Sequence, residues 1–379
     1  MKSKYVTTYF LMILILCLPS FYYCSEDEPT STDSSALENR IKAVLDSAIG
    51  NTHVPGLVAG IWAEDKGLSF VYTAGVSDLD TKAPMDTEML FRIGSNTKTF
   101  SITVLLQLID EDSLELSDKI SEWFPDFPKA DSVTVEMLTN MRSGIHEYMD
   151  SEHFQITCFE NPTKVWEPEE LIEMAADMDY YFSPGTDFHY SNTNTIIAGR
   201  IIEMITGKTL EEEINKRIIN KLVLQNTYFL TNGIDIPGLH PKGYYAGSFD
   251  STASDYTEFL DMSCAWAAGS AISNLYDIKN YVEKLSSGFF LSSEMQSRRM
   301  ECRPCSLIGF PYDFEYGMGI MGYKGFYGHG GSICGFTSVM MHSPTKNSTI
   351  VLLFNCQLKD ISAFSYFFTS LFPAVYPEL

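Results

Sequence analysis

The sequence predicts an α+β domain in which one antiparallel sheet, built from both ends of the chain, is flanked by helices and interrupted by a long helical segment. Three observations lead there. Strand-like runs gather at the two ends, helical periodicities dominate the middle, and 379 residues that are 45% hydrophobic and 20% charged suffice for one large core. Residues 37–49 place Leu37, Ile41, Val44, Leu45 and Ile49 at helical spacing before Gly50. Residues 56–63 and 68–74 read as strands joined by Asp65, Lys66 and Gly67, which is hairpin chemistry. A helix over 95–110 carries Ile102, Leu105, Leu106, Leu108 and Ile109 and stops at Asp110, Glu111 and Asp112. Residues 197–205 form a helix ending at Gly207, and Thr209 with Glu212 makes a capping box that opens another over 210–219. In the tail, residues 316–321, 337–341 and 349–354 are β-rich runs bounded by Gly, Pro, Asn and Ser, with a last helix near 361–371. The organisation expected is a leader over 1–24, a tether over 25–36 and one domain over 37–379. Within it, 37–92 and 265–379 form the sheet part and 93–264 the helical part.

Lys2 and Lys4 precede an apolar run, residues 10–18, that Pro19 interrupts, the pattern of a secretory signal. The run is shorter than the ~20 apolar residues of a spanning helix. An extracytoplasmic protein is expected, either secreted or periplasmic, or held at the surface by a lipid on Cys24. Tyr22 and Tyr23 are large where a signal peptidase prefers small residues, and Ser25, Glu26, Asp27 and Glu28 are similar to the sorting signals of some surface lipoproteins. Any membrane contact would run through this leader. Forty-nine acidic against 26 basic residues give a net charge of −23, which opposes nucleic-acid binding. Six cysteines remain beyond the leader, Cys158, Cys264, Cys302, Cys305, Cys334 and Cys356, of which some could pair in an oxidising compartment. The C-R-P-C unit at Cys302 and Cys305 reads as a local disulfide or two plain thiols rather than a redox or zinc motif.

The chemistry concentrates in three places. Ser95 and Lys98 lie one helical turn apart at a helix start, where a desolvated amine can take the hydroxyl proton and free N–H groups favour developing negative charge. Ser343 and Lys346 repeat the spacing between two strand runs and read as a turn. Tyr190, Ser191 and Asn192 give a phenol able to relay a proton and an amide able to hold a carbonyl. Tyr327, Gly328, His329, Gly330, Gly331 and Ser332 form a glycine-rich lead into a strand, permitting close approach of a substrate backbone. His146, Glu147, Asp150 and His153 lack the spacing of a metal motif and read as a surface loop, so no metal and no cofactor are expected. No G-x-S-x-G elbow and no phosphate-binding P-loop occur. Asn347, Ser348 and Thr349 form a glycosylation sequon, relevant only in a eukaryotic secretory pathway.

S-x-x-K, Y-x-N and H-x-G in this order resemble the motif set of serine β-lactamases and penicillin-binding proteins. The chain is similar to the D-alanyl-D-alanine carboxypeptidase branch near class C β-lactamases, from about Leu37 to the C-terminus. Supporting stretches are F-R-I-G-S-N-T-K, L-T-N-M-R-S-G-I from Leu138, P-G-T-D-F-H-Y-S-N-T-N from Pro184, A-A-G-S-A-I-S from Ala267 and Y-G-H-G-G-S. The resemblance implies a β-lactamase/transpeptidase-like fold with an all-helical subdomain. It makes Ser95 the acylated nucleophile, Lys98 its proton acceptor and Tyr190 the acid/base for the leaving group. Asn192 would contact the substrate amide, His329 and Gly331 would form the third motif beside Tyr190, and the N–H groups of Ser95 and Ser332 would bind the oxyanion. Trp266 is expected to line the pocket.

Two positions depart from that branch. Gly330 stands where a hydroxyl is expected, and Met321 where an Arg helps hold a terminal carboxylate; Lys324 is a candidate substitute. Losing such a charge-assisted contact costs about 1.5–3 kcal/mol, enough to shift substrate preference while leaving catalysis intact. The leading expectation is a carboxypeptidase acting on peptidoglycan peptides, with β-lactams as covalent ligands. The alternatives are an esterase or D-amino-acid peptidase on the same site, a weak β-lactamase, and a β-lactam or cell-wall sensor that acylates without turnover.

Overall fold

The computed structural model describes residues 31–52, 54–246, 253–305, 314–358 and 362–379. The leader, Cys24 and the first part of the tether lie outside them. Helix α1 (Ser31–Thr52) starts within the stretch read as a tether and runs past Gly50. The Ser-, Thr- and Asp-rich composition there hides the start of the helix, because its apolar spacing begins only at Leu37.

Eight antiparallel strands form the main sheet: β1 (Gly56–Ala63), β2 (Leu68–Gly75), β3 (Arg303–Cys305), β4 (Phe314–Tyr316), β5 (Met321–Tyr323), β6 (Phe326–Ile333), β7 (Phe336–Ser343) and β8 (Ser348–Phe354), in the order β2-β1-β8-β7-β6-β5-β4-β3. Both ends of the chain thus complete one sheet, with β1 pairing β8 from Leu57↔Phe354 to Ala63↔Ser348. Strand β8 is apolar throughout its centre because both its faces are buried. Ile350, Leu352 and Phe354 pack with Ile41 and Leu45 of α1 and with Phe367 and Leu371 near the C-terminus, whereas Val351 and Leu353 join the core that includes Ile278 and Leu285 of a helix spanning Leu275–Ser286. Each fully buried aliphatic side chain contributes about 1.5–3 kcal/mol before entropy is counted. Ser343 ends β7 and Lys346 lies in the turn to β8, so that second S-x-x-K is not at a helix start.

The run 316–321 is not one strand. Tyr316 ends β4 and Met321 opens β5, the two pair with each other, and Gly319 N donates to Thr139 O at 2.7 Å across the turn between them. The C-terminal helical turns, Ala363–Tyr366, Phe367–Leu371 and Phe372–Val375, extend beyond the expected end at 371; Ile361 lies outside the described residues.

Between the two sheet-forming parts lie helix α2 (Thr97–Asp110) and helix α3 (Asn192–Thr206), packed against each other in the larger core. Helix α3 ends at Gly207 as expected, and the Thr209–Glu212 capping box forms, with Glu212 N on Thr209 Oγ1 at 3.1 Å and Thr209 N on Glu212 Oε2 at 2.9 Å. Among the described residues, no helix is long and apolar enough to cross a membrane.

Candidate active site

Ser95 sits in a single 3₁₀ turn, Gly94–Asn96, just before α2. Asn96 Nδ2 donates to Ile93 O (2.9 Å) and to Ser338 Oγ on β7 (2.7 Å), while Thr97 Oγ1 donates to Gly94 O (2.6 Å). These bonds hold the turn against the strand pair β6–β7. Gly94 has φ +52°, and a Cβ on it would lie 2.7 Å from Ser332 N, so the turn passes directly over the Ser332 amide. Gly331 is equally confined, since its Cβ would fall on the Ile93 carbonyl. The backbone N–H of Ser332 is thereby brought to the residue next to Ser95, while the Ser332 side chain is exposed.

Lys98 is fully buried, and its Nζ donates to Ser95 Oγ at 2.9 Å and to Ala268 O at 2.9 Å. Burial pushes its pKa down to about 7, with the nearby Glu147 carboxylate opposing the shift. A large fraction of the amine is therefore free base at neutral pH. The Tyr190 ring centroid lies 4.9 Å from Nζ. Burial drives the phenol pKa upward, offset in part by the Ser95 hydroxyl, so Tyr190 holds its proton. Its hydroxyl is shielded and has no hydrogen-bond partner of good geometry among the described residues, which leaves it available to a ligand. His329 lies beside Tyr190 at 6.0 Å between ring centroids, but its hydrogen bonds go elsewhere: Nδ1 to Gly330 O at 2.6 Å and Nε2 to Tyr316 Oη at 3.3 Å. Those partners assign the proton to Nδ1, and burial next to Lys98 pushes the imidazole down to about 3. The third motif thus brings no positive charge.

Asn192 opens α3. Its backbone N donates to Glu147 Oε2 at 2.6 Å, and Met149 N donates to Glu147 Oε1 at 3.2 Å. Glu147 is the residue that sequence reasoning misplaced: it is half-buried, and its carboxylate is held by two backbone amides. Burial raises its pKa, opposed by those two amides and by Lys98. It makes no ion pair within 4.0 Å among the described residues. Its only sequence signal is an acid between Ile145 and Tyr148, both of which prove buried. Asp150 and His153, by contrast, are exposed, and among the described residues no group of side chains is arranged to hold a metal ion.

Several other expectations need correction. Trp266 is only 2% exposed and packs against Gly199 of α3, where a Cβ would meet its ring at 2.9 Å, so it supports the core rather than lining the pocket. Its neighbour Ala268 contributes instead, through the carbonyl that holds Lys98. Met321 is 3% exposed inside the sheet. Lys324 does not replace the missing Arg, because it lies beyond β5 and donates to the C-terminal residue Leu379. A side chain at Gly330 would meet the Phe364 ring, so an aromatic ring occupies the space in which a hydroxyl was expected. All six described cysteines are free thiols, and for Cys302 and Cys305 this agrees with the expectation of two plain thiols.

Residues 37–362 match the sequence profile of the beta-lactamase family. Among curated proteins, the D-aminopeptidase of Cereibacter sphaeroides is 26% identical over 332 residues, 85% of this chain and 60% of that protein, so the chain spans well under two thirds of this relative's length. Among solved structures, a D-stereospecific amidohydrolase from Streptomyces sp. superposes with a TM-score of 0.79 at 26% identity, covering 90% of this chain and 99% of the other. The D-amino acid amidase from Ochrobactrum anthropi SV3, solved with D-phenylalanine, does so with a TM-score of 0.77 at 26% identity, covering 91% and 100%. The match over most of the chain, together with the fold, means that this protein belongs to the beta-lactamase family and has its β-lactamase/transpeptidase-like fold.

Proposed function

We propose that the chain is an amidase or aminopeptidase that releases a D-amino acid bearing a free amino group, through an acyl-enzyme on Ser95. The observation that carries this reading is the half-buried Glu147 carboxylate, which lies near Lys98, accepts the Asn192 amide and has no ion-pair partner among the described residues. A substrate ammonium would supply the charge that this carboxylate lacks. The D configuration rests on the relatives, whose names describe a D-aminopeptidase, a D-stereospecific amidohydrolase and a D-amino acid amidase.

In the reaction proposed, Lys98 Nζ accepts the Ser95 hydroxyl proton as Oγ bonds to the substrate carbonyl carbon. The N–H groups of Ser95 and Ser332 receive the oxyanion. The C–N bond then breaks as the proton passes from Lys98, through the Tyr190 phenol, to the leaving nitrogen, and water hydrolyses the ester to restore Ser95. Asn192 would hold the substrate carbonyl, and neutral His329 would keep Tyr316 and Tyr190 in place. β-Lactams would acylate the same serine. We propose further that the enzyme is exported by its leader and works outside the cytoplasm.

A carboxypeptidase acting on peptidoglycan peptides is the second reading, favoured by the order of the three motifs. Buried Met321 and the Phe364 ring beside Gly330 disfavour it, because neither offers a charge to a terminal carboxylate. The deciding experiment compares D-alanine p-nitroanilide, its N-acetyl form, its L-enantiomer and an N-acylated peptide ending in D-alanyl-D-alanine. The proposal expects turnover of the first alone, with Glu147→Gln losing that selectivity. Release of D-alanine from the N-acylated peptide at a comparable rate would overturn it in favour of the carboxypeptidase.

A further inference from the structure

Three rings stack beside the loop that carries Glu147. Tyr181 lies between His146, at 4.0 Å and 27°, and His189, at 3.6 Å and 20°. The Tyr181 hydroxyl accepts the Glu147 amide N–H at 3.4 Å and donates to Asp150 Oδ2 at 3.0 Å. Its own amide donates to Gly144 O at 2.9 Å, so one residue grips the loop before, at and after Glu147. The outer rings are anchored as well, His146 Nδ1 on Asp179 O at 2.7 Å and the His189 amide on Met141 O at 3.1 Å. On the other side of the loop, Thr193 Oγ1 donates to His146 O at 2.6 Å and accepts from Tyr148 N at 3.0 Å.

We propose that Tyr181 is a positioning residue for substrate recognition: its hydroxyl, bridging the Glu147 amide and the Asp150 carboxylate, holds the Glu147 carboxylate where it meets the substrate's amino group. The inference rests on the aminopeptidase reading above. A ring held between two stacked planes cannot swing, so its hydroxyl stands at one point in space. The loop is thereby fixed from its rim as well as from α3. Loop placement matters because an ammonium held by one half-buried carboxylate is bound by distance-dependent charge and by hydrogen-bond direction, both of which weaken with small displacements. Tyr181 touches neither Ser95 nor Lys98 in any contact described here, so its effect falls on binding and leaves acyl transfer alone.

The test uses Tyr181→Phe in the intact protein, which keeps the ring in the stack and deletes both hydroxyl contacts. KM for D-alanine p-nitroanilide is expected to rise roughly 2- to 12-fold, the loss of about one hydrogen bond. kcat should stay within about twofold, and kcat/KM for p-nitrophenyl acetate, which has no amino group, should be unchanged. Equal losses on both substrates would reveal a merely structural role, and no change on either would remove the role altogether; both results overturn the proposal. Glu147→Gln is measured in parallel. If it shows no loss confined to the amino substrate, the aminopeptidase reading falls and this inference with it. If it shows that loss and Tyr181→Phe does not, only the role of Tyr181 falls.

Discussion

Replacing Lys98 by methionine removes a proton acceptor and a buried cation in one step, and the two consequences have opposite signs. Lys98 is completely shielded, and its ammonium loses its proton at about pH 7 in the fold against 10.5 for an ordinary lysine. Folding is therefore opposed by protonation in the window between those values. Above pH 10.5 the amine is neutral in both states and contributes no penalty. As pH falls the unfolded chain gains the proton first, and the penalty grows until about pH 7, below which it is constant. At about 1.4 kcal/mol per tenfold, the full window amounts to about 4–5 kcal/mol. Lys98→Met loses the bonds to Ser95 Oγ and Ala268 O at every pH, so the prediction is for the difference: relative to the wild type, the variant should gain a few kcal/mol in stability as pH falls from 10.5 to 7, while acyl transfer falls roughly 10²- to 10⁴-fold. Urea unfolding of both proteins at several pH values between 6.5 and 10 measures the difference. Taking the difference cancels the tyrosines and cysteines that titrate in the same range. Parallel stability curves across that window would refute the assignment of a desolvated, proton-accepting Lys98.

Three further outcomes follow from the same geometry. Ser95→Ala should abolish labelling by a fluorescent penicillin, read by intact-protein mass spectrometry, with unfolding shifted by less than about 1 kcal/mol; a label that persists would place the nucleophile elsewhere. The rate of acylation should rise with pH through a midpoint near 7, because Lys98 must be neutral to accept the Ser95 proton, and a midpoint below about 5 would point to a carboxylate as the base. Trp266→Ala should cost about 3–5 kcal/mol of stability, since the ring fills the core against Gly199; a variant of normal stability with a changed KM would return Trp266 to the pocket.

Local chemistry was legible where neighbours in sequence are neighbours in space. Ser95 and Lys98 meet across one helical turn, Thr209 and Glu212 close their capping box, and the 56–63 and 68–74 runs pair through the four-residue turn 64–67, because each contact spans only a few residues. That both ends of the chain complete one sheet was readable too, as β-rich runs at both ends with helices between have few other ways to bury their faces. Boundaries were less so. The start of α1 was hidden by polar composition and the turn at 317–320 by an apolar run, since a helix's first turn and a tight hairpin both tolerate side chains that carry no periodicity.

What tertiary structure alone decided is the character of the site. The Glu147 carboxylate is held in place because Asn192, on another element, supplies an amide to it, and nothing in the spacing of residues 146–153 announces that partner. Phe364 took the space beside Gly330, and Leu379 engaged Lys324, through contacts between distant parts of the chain. Sequence by itself determined that Ser95 and Lys98 meet at a helix start and that both ends of the chain build the sheet, since these depend on short-range geometry and on the period of apolar residues. Which charge the site presents to a substrate depended on desolvation, and desolvation is set by whichever segments fold over a residue from far away.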